Sequence, residues 1–334
     1  MRRVTPAIVL LFSSLSPLAR ADAPTAAPVA EAAATPVVTP VAGPPSEVNR
    51  RLQIPDWRFV INNLLLFRYN PIGLEDQIRV GVQRRILHSD SPLFRDTFVF
   101  FGSAPKLNPA YAKIGPSLEI QPLSILNVRA AVEIVEYFST FGFLQSYNSP
   151  LANYSDSAMS AADKIDNAAY ATSGVHAILE PTFQLKLGSF ALRNKFSVEY
   201  WRMNLRGSDT VFYDATLDTL VPGNGWVIAN DLDALYLTKF GLTVGARYSV
   251  VKPFYRKSDY APGDDTNINR NGHQRLGPIL AYTFFDHGFT AFNKPTVLVI
   301  TAWYLQHQYR TGLDQSQAVP YLVVGFAFQS DVMK

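Results

Sequence analysis

The stretch HAILEPTFQLKLGSFALRNKFSVEYWRM, His176–Met203, alternates apolar and polar residues almost one for one. Ala177, Leu179, Pro181, Phe183, Leu185 and Leu187 share one face. His176, Ile178, Glu180, Thr182, Gln184 and Lys186 share the other. A repeat of two is the period of a β-strand, whose successive side chains point to opposite sides. After Gly188-Ser189 the alternation resumes, with Phe190, Leu192, Phe196, Val198 and Tyr200 against Arg193, Lys195, Ser197 and Glu199. Two such runs joined by a short glycine turn predict a β-hairpin. The hairpin alone does not say which face looks inward. In a soluble sandwich the apolar face is buried, whereas in a membrane barrel it meets lipid and the charged face lines the inside.

The same alternation recurs from Trp57 onward. It predicts about a dozen strands, at 57–69, 77–88, 96–103, 112–121, 124–138, 175–187, 190–203, 225–237, 240–252, 273–285, 295–307 and 319–329. Most reach the ~9 to 11 residues that a tilted membrane strand needs, where globular strands usually stop at ~5 or 6. The links at Gln121–Ser124, Leu187–Phe190 and Leu237–Phe240 are tight, and those at 139–174, 204–224, 253–272 and 308–318 are long and polar. Short turns on one side and long loops on the other are the habit of an outer-membrane barrel. Aromatics crowd the strand ends at Trp57, Tyr69, Tyr137, Phe138, Tyr200, Trp201, Tyr248, Phe254, Tyr282, Phe284, Phe285, Trp303 and Tyr304, where they would form two interfacial girdles.

The N-terminus points the same way. Arg2 and Arg3 precede an apolar run from Val4 to Leu18 and then Ala19-Arg20-Ala21, so residues 1–21 read as a cleavable signal peptide. Removing them takes three arginines and no acid, and the balance of 30 basic against 27 acidic residues becomes 27 against 27. A neutral mature chain offers no overall charge for nucleic acid. The Ala/Pro-rich segment that follows reads as a disordered periplasmic linker over 22–55, leaving 56–330 for the barrel. The absence of cysteine excludes disulfides, thiolate catalysis and a cysteine lipid anchor.

On the signal segment, the alternating strands, the loop asymmetry and the final strand AVPYLVVGFAF, the chain resembles bacterial outer-membrane β-barrel proteins as a class over about residues 57–329. No motif marks a particular family. The resemblance implies an all-β, antiparallel up-and-down barrel in a Gram-negative-type outer membrane. Its partners would be outer-membrane lipid, lipopolysaccharide and the barrel-insertion machinery. Such chains often finish on a terminal aromatic, whereas here QSDVMK follows Phe328.

Placed inside, the polar faces contribute Arg58, Arg68, Arg79, Arg85, Lys113, Arg129, Lys186, Arg193, Lys195, Arg247 and Arg275 against Glu119, Glu133, Glu180, Glu199, Asp231 and Asp233. An open lumen of that kind favours small anionic solutes. The same residues could instead pair across strands and fill a sealed barrel that acts through its long loops, and twelve strands lies between filled and channel-forming sizes. Both readings stay open at this point. Val297–Tyr304 and Tyr321–Phe328 are apolar on both faces, so their inner side needs a cover. A short helix in SDSAMSAADKIDNAAYATSG, with a capping box at Ser160 to Asp163, is one candidate.

No catalytic motif is present, neither G-x-S-x-G nor H-E-x-x-H. His307 with Ser316 is the nearest approach to a rim hydrolase. Asp265, Asn267 and Asn269 resemble a calcium loop only superficially, since Gly272 comes too late and no glutamate follows at the right spacing. No cofactor, metal or catalytic activity is expected.

Overall fold

The computed structural model describes residues 55–89, 91–288 and 290–331. The signal peptide expected at 1–21 and all but the end of the linker expected at 22–55 lie outside them. In chain order the elements are β1 (Trp57–Tyr69), β2 (Gly73–Arg85), β3 (Phe98–Ser103), β4 (Lys106–Asn108), β5 (Tyr111–Ile114), β6 (Pro116–Leu123), β7 (Leu126–Phe138), β8 (Ser146–Tyr147) and α1 (Asp156–Asp166). Then come β9 (Ala171–Leu187), β10 (Phe190–Met203), β11 (Val211–Asp214), β12 (Thr219–Pro222), β13 (Asn224–Leu237), β14 (Leu242–Phe254), β15 (His273–Thr283), β16 (Asn293–Gln306) and β17 (Tyr321–Asp331).

Each wall strand pairs antiparallel with its neighbours in sequence, and β17 returns to pair with β1, so the sheet has no free edge. The wall is a closed barrel of twelve strands, once β3 with β4 and β5 with β6 are each taken as one interrupted strand. The first break falls at Ala104-Pro105, where Pro105 lacks an N–H but its carbonyl still accepts from Ile78 N–H at 2.9 Å. The second falls at Gly115, where a Cβ would stand 1.9 Å from the Val132 carbonyl. Only glycine fits where the wall closes so tightly.

The hairpin that opened the sequence reading forms as β9 and β10, with Leu187 opposite Phe190 across the Gly188-Ser189 turn. Gly188 sits at φ +62, in the left-handed region that glycine enters without strain. His176, Glu180, Arg193 and Glu199 are buried, while Leu179, Leu187, Phe190 and Leu192 are exposed on the outside. The charged face therefore looks inward. Trp57, Tyr69, Phe138, Phe254, Tyr282, Phe284 and Trp303 are exposed on the outer face as expected, and Trp226 joins them.

Three residues assigned to the girdles are instead inside: Tyr137, Trp201 and Tyr304 are each 2 % exposed or less. Parity along the strand explains this, because Trp201 falls in step with Arg193, Lys195 and Glu199, and Tyr137 with Arg129 and Glu133. The cover for β16 and β17 is not the helix that was one candidate for it. Their inner residues Leu298, Ile300, Ala302, Val323 and Ala327 pack in one cluster with Leu64 and Leu66 of β1, Leu235 and Leu237 of β13, and Ile279 of β15. That side of the interior is filled by the barrel's own aliphatic side chains.

Candidate functional site

The other side of the interior is charged, and strand register decides how the charges meet. Arg193 of β10 and Arg247 of β14 both lie opposite Asp233 of β13, and each guanidinium reaches its carboxylate at 2.6 Å. Arg129 of β7 faces Glu180 of β9 at 3.3 Å, and Lys195 reaches the same carboxylate at 2.9 Å. Arg79 binds Glu119 through two hydrogen bonds of 2.8 and 2.7 Å. Glu133 takes Lys106 at 3.0 Å and His176 Nδ1 at 2.9 Å, and the other ring nitrogen of His176 meets Glu199 at 3.1 Å. Arg58 pairs with Asp331 where the start of β1 meets the end of β17.

The remaining residues singled out from sequence take other partners. The Arg275 guanidinium lies 3.9 Å from the Tyr321 ring centroid, and Arg68 donates to the Ala215 carbonyl. Arg85 donates to the Arg95 carbonyl at 3.5 Å, and Lys186 is half-buried near the β9–β10 turn. Lys113 approaches Asp214 at 3.8 Å, and Asp231 accepts from Ser249 at 2.5 Å with Arg247 3.9 Å away.

Sequence reasoning passed over several charges, buried at Glu75, Asp214, Asp218 and Arg310 and half-buried at Asp331 and Lys106. With these included, the basic excess of the first tally narrows.

Asp214 and Asp218 belong to an element the sequence reading treated as a polar loop. Between β10 and β13 the chain folds into the hairpin β11–β12, which joins β8 in a separate three-stranded sheet. Every residue of β11 and β12 is buried. One face, with Phe212, Leu217 and Val221, packs into the barrel against Trp201, Tyr137 and Val227. The opposite face, with Val211, Tyr213 and Leu220, packs under Tyr154, Met159 and Tyr309. The hairpin is thus a plug with apolar contacts above and below. Helix α1 lies over it, starting five residues before the expected capping box: Ser155 is the N-cap, accepting from Ala158 N–H.

A polar latch fastens the plug. Asp218, in its turn, accepts from Tyr304 and Tyr213 hydroxyls at 2.6 and 2.7 Å and from Arg310 Nε and Nη2 at 2.7 and 2.9 Å. Arg310 also reaches Asn70 Oδ1 at 2.7 Å and both carboxylate oxygens of Asp156 at 2.9 and 3.1 Å. One guanidinium so ties together the β1–β2 turn, the start of α1, the plug and the β16–β17 loop. Burial pushes the Asp218 carboxyl up, but Arg310 foremost holds it well below the usual carboxylate range. Burial pushes Tyr213 up, and Asp218 beside it adds to the shift.

His307 belongs to this latch. Its Nε2 lies 3.0 Å from the Asp218 carbonyl, and its Nδ1 accepts from Tyr309 and Arg310 N–H groups. Ser316 accepts from Ala318 N–H. The two residues therefore make no nucleophile–base pair with each other.

Below the plug lies a partly open cavity of about 100 Å³, bounded by Lys113, Trp201, Glu199, Asp231 and Arg275, with Thr216 and Leu217 of the plug among its lining.

No family model and no curated protein sequence matches this chain. Among solved structures it is similar to the CymD monoaromatic hydrocarbon channel, at 10 % identity and TM-score 0.37 over 84 % of this chain and 89 % of that one. It is also similar to the KdgM porin, at 9 %, 0.35, 82 % and 99 %, and to the NanC porin, at 10 %, 0.34, 82 % and 100 % in the same order. Likenesses this distant add nothing to the strand pairing, which establishes the barrel by itself.

Proposed function

We propose that this chain is an outer-membrane channel for small polar solutes, closed at rest by the β11–β12 plug. The barrel spans the membrane with its aliphatic and aromatic outer face in lipid. The start of β1, the end of β17 and the turns after β6, β9 and β13 lie on the periplasmic side, and the long loops face outward toward lipopolysaccharide. Export by the N-terminal signal and assembly by the barrel-insertion machinery complete this reading. The observation that carries it is the plug itself, a separate hairpin lodged above a polar cavity, with the Arg310–Asp218 latch at the centre of the contacts that hold it. A barrel meant only to be solid has no need of a detachable part.

The narrowed basic excess of the interior supports a weaker anion preference than the strand residues alone suggest. The second reading is a sealed barrel acting through its loops, and the dense ion pairing at Asp233, Glu180 and Glu133 favours it. Planar-bilayer recordings separate the two. The intact chain is expected to show rare, brief openings, and a variant with Phe212–Val221 replaced by a short Gly-Ser link is expected to conduct steadily. If that variant keeps the heat-modifiable gel migration of a folded barrel and does not conduct, the channel reading fails.

A further inference from the structure

The cavity beneath the plug distinguishes itself by two loosely held charges of opposite sign. Most ion pairs around it are close: Lys106–Glu133 at 3.0 Å, His176–Glu133 at 2.9 Å, His176–Glu199 at 3.1 Å, and Glu180 with Lys195 at 2.9 Å and Arg129 at 3.3 Å. Lys113 and Asp231 differ. The Lys113 ammonium is 3.8 Å from Asp214, beyond hydrogen-bond reach; it lies over the faces of Trp201 at 4.5 Å and Tyr111 at 5.0 Å and feels the Glu199 carboxylate only through space. Its side chain is only 3 % exposed, and it lines the cavity. Asp231 has one hydrogen bond, from Ser249, and its nearest cation is Arg247 at 3.9 Å, a guanidinium already engaged by Asp233 at 2.6 Å. Thr216 Oγ1, on the plug turn in the same lining, is buried without a hydrogen-bond partner among the described residues.

A buried ammonium and a buried hydroxyl without hydrogen-bond acceptors are costly unless something else satisfies them. An anion alone would satisfy Lys113 and Thr216 but would face the carboxylates of Asp231, Glu199 and Glu180. A cation alone would meet Lys113, Lys195 and Arg275. A small molecule carrying both charges meets neither penalty, because it presents a carboxylate to Lys113 and Thr216 and an ammonium to Asp231. The volume, about 100 Å³, suits a few waters or one solute of the smallest amino-acid size.

The geometry points to a site for a small zwitterion of the α-amino-acid class, held between Lys113 and Asp231 beneath the plug. This rests on the channel reading and names its solute.

Trp201 offers a direct reporter, since it lines the cavity while Trp57, Trp226 and Trp303 are exposed outside the barrel. In a chain carrying W57F, W226F and W303F, Trp201 is the single tryptophan left. The folded protein in detergent is titrated with L-serine, and in parallel with lactate and ethanolamine, which each keep one of the two charges. A saturable change in Trp201 emission is expected for L-serine, with the half-saturating concentration at least tenfold higher for the other two. Lys113→Gln and Asp231→Asn are each expected to weaken L-serine binding at least tenfold, with heat-modifiable migration verifying that each variant is folded. Lactate binding as tightly as L-serine would overturn the zwitterion assignment, and so would no saturable response to any of the three. The reading does not depend on current: a chain that binds L-serine but never conducts defeats the channel, and one that conducts without binding defeats the site.

Discussion

Replacing Asp218 by Asn tests the latch at its centre. The carboxylate accepts two hydrogen bonds from Arg310 and one each from Tyr213 and Tyr304, all without exposure to water. Asparagine keeps the shape and one acceptor oxygen but leaves the Arg310 guanidinium buried beside a neutral group. Removing one partner of a buried pair typically costs about 3–5 kcal/mol. Arg310 keeps Asp156, which is 38 % exposed and so screened, and the lower end, about 3 kcal/mol, is the expected loss for the closed state. At about 1.4 kcal/mol per factor of ten, the ratio of closed to open falls roughly a hundredfold. Single-channel recording reads this as open probability rising by about two orders of magnitude with unit conductance unchanged. The double variant Asp218→Leu with Arg310→Met removes both charges and is expected to be markedly less open than Asp218→Asn, since an apolar pair leaves no stranded charge. Neither residue belongs to a wall strand, so both variants should still form the barrel. A folded Asp218→Asn chain whose open probability stays within twofold of the original would refute the latch.

Acid should loosen the same closure. Burial pushes the His307 imidazole below its ordinary value of 6.5, against the opposing pull of Asp218. The closed state thus favours neutral His307. That contribution is present above about pH 6.5 and is lost as pH falls through the lowered value, while Asp218 stays charged throughout. Open probability is expected to rise from pH 7 to pH 5, and much less so in His307→Gln; equal pH responses in the two would rule His307 out. In the wall, Arg193→Met leaves Asp233 with Arg247 alone and is expected to lower thermal stability by about 3 kcal/mol, measured as the temperature at which the folded gel band is lost. A shift of under about 1 kcal/mol would mean that the Arg193–Asp233 pair contributes little.

Most of the wall was legible because a two-residue period survives any register. β1 and β10 occupy the stretches 57–69 and 190–203 read from the alternation, and β9 and β13 differ by a few residues at one end. The expected start at 77 became Gly73 because the β1–β2 turn is tight and Glu75 and Gln77, both inward, continue the alternation back toward it. Ion-pair partners were not legible: Arg193 meets Asp233 only through register, which depends on how every turn closes. The girdle assignments for Tyr137, Trp201 and Tyr304 followed residue type and strand end where parity was the better guide. The plug left a signal that composition hid. Val211-Phe212-Tyr213 and Leu220-Val221 are strand-like runs flanking Asp214-Ala215-Thr216-Leu217-Asp218, whose two aspartates suit a turn: Asp214 Oδ1 accepts from Thr216 and Leu217 N–H groups. Their weight was lost in a twenty-residue loop bounded by charged and polar residues.

The interior uses two ways to fill a barrel, and the contrast bears on function. From β13 through β17 to β1 the inner face carries a continuous aliphatic cluster, beside which Arg68, Asp233, Arg247 and Arg275 are buried charges of the same strands. From β2 to β10 the same wall holds arginines, lysines and glutamates whose burial carries a desolvation cost that ion pairing offsets only in good geometry. A chain that can build the first kind of filling gains no stability from retaining the second. Where the pairs are close, as around Asp233, they can be read as structural. At Lys113 and Asp231 the pairs are long, the cavity adjoins, and the plug covers both. The loosely paired charges fit the proposed solute path, and the aliphatic cluster fits the need to keep the rest of the cross-section closed.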